Sequence, residues 1–187
     1  AEGLVDIDSK RNINNTGAID SNWFVDMDAL GNITNTQSIY SSGHVNIDAV
    51  GSLHNSGSIT AVDEVELKAQ QDLENTRNII SQKDHVLIDA KGNLNNSGDI
   101  KAYDFVDLDS WLLLSNTGNI ISENSGVTLQ ATVGVNNGTA IHNEGNVTAK
   151  DQILLTSYKG DVTNYGSMTS TNGSVSLTAA GVYEIEA

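Results

Sequence analysis

The sequence predicts an all-β fold, a parallel β-helix (solenoid) of about nine coils with three short strands and roughly 20 residues in each coil. Three observations lead there. A template seen in full at Val86 to Ala102, VLIDAKGNLNNSGDIKA, recurs with starts at Val5, Val25, Val45, Val65, Val86, Val106, Val127, Ile153 and Val175. Apolar and polar residues alternate within each unit, which is the two-residue period of a strand with one buried face. Proline is absent, as expected where each strand must donate hydrogen bonds to its neighbours.

The starts are separated by 20 or 21 residues, except for the last two steps of 26 and 22. Such a repeat is too short for a pair of helices and fits a solenoid of strands. Each coil opens with an alternating run at its start residue. The second run begins eight residues later in the first six coils, at Ile13, Ile33, Leu53, Leu73, Leu94 and Leu114, and the third six beyond that, at Ile19, Ile39, Ile59, Ile79, Ile100 and Ile120. With about 4.8 Å between stacked strands, the coils would make a rod roughly 40 Å long.

Two residues after the second-run aliphatic stands an asparagine, at Asn15, Asn35, Asn55, Asn75, Asn96, Asn116, Asn143 and Asn164, in every coil that reaches the position. By alternation these amides face inward, where one without partners costs about 1–3 kcal/mol. Stacking removes that cost: each amide donates to the asparagine one coil below and accepts from the one above, a ladder that also fixes register. Glycines follow two residues on, at Gly17, Gly57, Gly98, Gly118, Gly145 and Gly166, and are expected to be turn residues with positive φ. Gln37 and Arg77 interrupt that column; on this reading each carries about 1–2 kcal/mol of strain.

The turns after the first strand read as short and polar at Lys10–Asn12, Leu30–Asn32, Val50–Ser52, Gln70–Asp72 and Lys91–Asn93, whereas the sixth reads Trp111, Leu112, Leu113. The seventh coil carries six extra residues between Ala131 and Ile141, read as an outward loop, and the eighth carries one near Tyr158–Asp161. A single domain over 1–187 is expected, with regular coils over 4–125 and irregular ones over 126–187. The chain opens and closes inside the repeat and reads as a segment of a longer array, since solenoid ends need caps.

Twenty-four acidic against nine basic residues give a net charge of −15. Phosphate backbones and anionic lipid would repel such a surface, so no nucleic-acid partner is expected. The absence of cysteine removes disulfides and thiolate chemistry and suits an exported bacterial protein as well as a cytosolic one. No apolar run of about 18 residues and no signal peptide at the start is found.

The pattern V-x-I-D-A-x-G-x-L-x-N-x-G-x-I-x-A, clearest from Val45 to Ile120, resembles the repeats of the filamentous haemagglutinin family. These are the long exoproteins of two-partner secretion, including the stalks of contact-dependent growth-inhibition toxins. The resemblance implies a right-handed β-helix exported by an outer-membrane partner transporter and displayed, as a monomer, on the bacterial cell surface. There it would hold an adhesive or toxic tip away from the cell. The family's amino-terminal secretion domain carries an Asn-Pro motif, and this chain has no proline, which implies repeat shaft. Nothing in it resembles a toxin domain.

Outward-facing acids recur at Asp6, Asp26, Glu66 and Asp107 and, in a second column, at Asp8, Asp28, Asp48, Asp89 and Asp109. Neighbouring carboxylates repel by about 1 kcal/mol per pair even in water. Calcium between the columns would relieve this, but the glycine-rich nonapeptide of calcium-filled β-rolls is missing. A solvated acidic face is therefore expected, with no metal and no cofactor. The histidines, His44, His54, His85 and His142, fall in two columns without adjacent pairs and read as surface residues. Matches to an N-glycosylation acceptor, such as Asn32-Ile-Thr, arise from the repeat composition.

Parallel β-helices also host enzymes that cleave acidic polysaccharides. Here the basic residues are scattered over different columns, and the acidic columns would repel a uronate, so no catalytic residue is assigned. A candidate contact patch is Trp111 and Leu112 in their exposed turn with Tyr103 and Phe105 at the preceding corner; Trp23 and Phe24 make a similar corner. The leading expectation is a non-enzymatic shaft that spaces and takes part in adhesion. The alternatives are a receptor-binding section of the same filament, contacting a host-cell or target-cell receptor or glycan through Val133 to Ala140 and the Trp111 turn, and a carbohydrate-active lyase or hydrolase.

Overall fold

The computed structural model describes residues 3–133, 138–181 and 183–185, and among these every regular element is a strand. One sheet stacks nine strands from Val5–Ser9 to Val175–Ala179, a second stacks nine from Ile13–Asn15 to Tyr183–Ile185, and a third stacks eight from Ile19–Ser21 to Met168–Ser170. All neighbours are parallel and, apart from one shift in the seventh coil, in register one coil apart, as in Val45↔Val65, Leu53↔Leu73 and Ile59↔Ile79.

The alternation explains the packing. In a typical coil Val65, Leu67, Ala69, Leu73 and Ile79 point inward and are at most 1% exposed. Stacked on their equivalents, they form one continuous apolar column. β-Branched and aliphatic residues suit this pleated, buried setting, and each residue along a strand faces the opposite way to the one before it.

The asparagines form an unbroken inner ladder. Amide nitrogens donate to the next Oδ1 towards the C-terminus from Asn15 to Asn35, Asn55, Asn75, Asn96, Asn116, Asn143 and Asn164, at 2.6–2.8 Å. From Asn75 onward each also donates to the carbonyl two residues ahead, as Asn96 does to Gly98 at 2.9 Å and Asn116 to Gly118 at 2.9 Å. One side chain thus joins two coils and closes its own turn. The ninth coil differs from expectation, because register places Ile185 against Asn164.

The glycine column has a different cause from the one expected. None of Gly57, Gly98, Gly118, Gly145 and Gly166 has φ in the left-handed range. A Cβ on Gly98 would instead overlap the Arg77 carbonyl, and one on Gly118 the Gly98 carbonyl. At these positions glycine fits because successive coils approach closely there.

Serine forms a second set of inner contacts that the periodicity did not reveal. Ser41, Ser81 and Ser122 end third-sheet strands, alternate there with Ala61 and Ala102, and donate to the carbonyls of Trp23, Asp63 and Asp104 at 2.8, 2.5 and 2.6 Å. Part of the seventh-coil insertion also departs from a simple loop. Thr139 and Ala140 extend the strand Thr139–Asn143, with a register shift between Thr139 and Ile141 against the next coil, while residues 134–137 of the expected contact loop lie outside the described residues.

Candidate functional site

The outer face of the first sheet and the corner that follows it hold the best candidate surface. Strand alternation turns the second residue of each run outward, giving Asp6, Asp26, Asn46, Glu66, Leu87 and Asp107 in one column. The fourth gives Asp8, Asp28, Asp48, Lys68, Asp89 and Asp109 in another. The upper coils relieve the repulsion from within. Asn46 donates to Asp26 at 2.8 Å, Lys68 pairs with Glu66 at 2.7 Å and Lys91 with Asp89 at 2.6 Å. Asp8, Asp28 and Asp48 have no ion pair among the described residues.

Titration follows this geometry. Burial first, then the carboxylates of Asp26, Asp48, Asp8 and Asp6, raise the Asp28 carboxyl above the ordinary aspartate range. Asp107, stacked between Leu87 and Thr128, is raised by burial and then by Asp109 and Asp89. Asp109 is raised by burial and by Asp89, against the opposing pull of Lys91. The Lys68 ammonium is raised chiefly by its hydrogen bond to Glu66. Asp107 Oδ1 is buried without a hydrogen-bond partner. Among the described residues no three His, Asp or Glu side chains converge as metal ligands.

The structure regroups the aromatic residues. Trp111 and Leu112 follow the strand Val106–Ser110, while Tyr103 and Phe105 precede it. The two groups therefore occupy opposite ends of a five-residue strand, about 17 Å apart, and do not form one patch. Phe105 stacks on His85 with ring centroids 4.6 Å apart, and Phe24 stacks on His44 at 4.8 Å. Both histidines are thus corner covers.

Trp111 instead shares its column with Leu30 and Val50, since the backbone nitrogens of all three donate to the last strand residue of the previous coil. Leu30 is 64% exposed, Trp111 52% and Val50 48%. Sequence reading missed Leu30 and Val50 because their turns were judged as triplets. Read down the column, the first turn position is apolar in three of the six regular coils.

A haemagglutinin repeat family model matches residues 1–98 and 112–182. The chain belongs to the haemagglutinin repeat family. No curated protein and no solved structure matches it. Haemagglutinin repeats are structural, adhesin-type sequences associated with secreted surface filaments. Tyr103, Phe105 and Trp111 fall in the interval between the two matched stretches of haemagglutinin repeat.

Proposed function

We propose that this chain is a non-enzymatic shaft section of a secreted bacterial surface filament, either an adhesin or a contact-dependent inhibition stalk, exported through an outer-membrane partner transporter. The observation that supports it most is the register, held coil after coil through three parallel sheets, including across the insertion where Leu114 pairs with Ile141. A stack in which every coil hydrogen-bonds to the next is stiff along its axis and adds reach in proportion to coil number. Family membership supports the same role.

The non-enzymatic part rests on the distribution of charge. The carboxylates recur as a pattern, and Lys68, Lys91 and Lys101 are each engaged by a neighbouring acid at 2.6–2.7 Å. Removing whole coils from the parent filament tests the spacer role. Each deleted coil should shorten it by about 4.8 Å while the remainder stays folded, and an unchanged reach would refute the role. Incubation with pectin and alginate should give no product; turnover would favour the carbohydrate-active reading.

A second reading, a receptor-binding section, draws support from the exposed side chains of Leu30, Val50 and Trp111. Trp111→Ala should then weaken binding to cells or glycans without lowering stability.

A further inference from the structure

We propose that the groove beside the first turn column in coils one to four docks a basic amphipathic helix of another protein. The groove has a volume of about 550 Å³; Leu30, Val50 and Ala29 form its apolar wall and Asp8, Asp28 and Asp48 its acidic wall, with Lys10 at its coil-one end, so three acids face one lysine. Leu30 stands mostly clear of the core beneath and Val50 about half clear. Scattered single apolar residues need no explanation, but two in consecutive coils beside a groove do.

Charge selects the occupant. The three aspartates are held in register by the sheet and form no ion pair among the described residues, although Lys68 stands in register beside Asp48, which after Glu66 helps to raise its ammonium. Glu66 and Asp89 higher up are paired directly with lysines. A cationic segment would supply the missing partners. A second copy of this chain is a poor occupant, because its net charge of −15 adds repulsion.

Spacing selects the conformation. The carboxylates repeat with the coils, about every 4.8 Å. Lysines or arginines three or four residues apart on a helix are separated along its axis by about 4.5–6 Å. Same-face residues of an extended strand are about 6.8 Å apart and fall out of step. A helix lying along the solenoid axis therefore sets successive cations against successive aspartates while its apolar flank covers Leu30 and Val50, the helix-in-groove mode of recognition.

The test uses the whole chain and a labelled synthetic peptide with lysine at every third or fourth position and leucine along one flank, followed by fluorescence anisotropy, with circular dichroism confirming that each variant is folded. Asp28→Asn with Asp48→Asn should weaken binding about tenfold or more, and so should Leu30→Ser; both requirements are specific to this groove. Asp99→Asn, which removes one charge on another face, should leave binding within about twofold. The peptide should gain helicity on binding. Three results would each overturn the proposal: oligolysine of equal charge binding as tightly, which would mean diffuse attraction to a polyanion; spermidine displacing the peptide at equal concentration, which would mean a site for small cations; and no measurable binding of the peptide.

Discussion

Asn116 donates its side-chain amide to Asn143 at 2.7 Å although 27 residues separate them, more than in any other step of the ladder. The coil between them holds the insertion, yet Leu114 still pairs with Ile141 one strand away. The inner ladder is thus insensitive to what the outer loops do. That separation of a fixed interior from a variable corner lets one solenoid carry different surfaces.

Breaking the ladder in the middle should be costly. Asn75→Ala removes the buried bonds to Asn96 and from Asn55 and the half-buried bond to the Arg77 carbonyl. The orphaned partners should reduce stability by about 2–4 kcal/mol, read from the shift of the urea midpoint. Asn15→Ala, at the half-buried end of the ladder, should cost about 1 kcal/mol or less.

Gly118→Ala tests the close approach between coils. Its new Cβ must displace the Gly98 carbonyl, so a loss of about 1–3 kcal/mol is expected, as for an overpacked core. Arg77→Gly should not stabilise, because no left-handed glycine in this column signals strain to relieve. The added backbone entropy should instead lower stability by about 0.5–1 kcal/mol. A rise in melting temperature would restore the strained-turn reading.

The fold was legible because each coil repeats the same two-residue alternation, so errors in one coil are corrected by its neighbours. Val86 to Ala102 alone reads as three strands, and the other coils confirm its register. The inward asparagines were legible for the same reason. The cause of the glycine column was not, since Gly98 looks alike in sequence whether it serves positive φ or a close contact with Arg77. The surface was least legible. Trp111 and Phe105 are close in sequence, but a strand lies between them, while Leu30 and Trp111 are distant in sequence and share a corner.

Mild acidification should stabilise the protein. The aspartate shifts that are resolved, at Asp28, Asp107 and Asp109, are all upward. Between the ordinary aspartate value of 3.8 and the raised folded values, the native state holds more protons than the unfolded chain. Stability therefore falls as pH rises through that window, and the contribution is fully present below its lower edge. Melting curves should rise from neutral pH towards the lower edge of the window, and Asp107→Asn should flatten the rise. A flat profile in the parent protein would contradict this.

Asn46→Asp would place a carboxylate between Asp26 and Glu66 in the outer column and remove the amide that Asp26 accepts. The expected loss is about 1–2 kcal/mol at neutral pH, shrinking as salt is added. Thermal melts at low and high ionic strength would show it; equal losses in both would mean that packing, not charge, governs the column.

The stacked column itself is most directly tested by one distance. The chain lacks cysteine, so Lys10→Cys with Tyr158→Cys gives two unique sites for spin labels at the same turn position, seven coils apart. Stacked coils predict a single narrow separation near 34 Å, from seven steps of about 4.8 Å, by pulsed electron resonance. A broad distribution, or a mean well away from that length, would contradict the solenoid and every role derived from it.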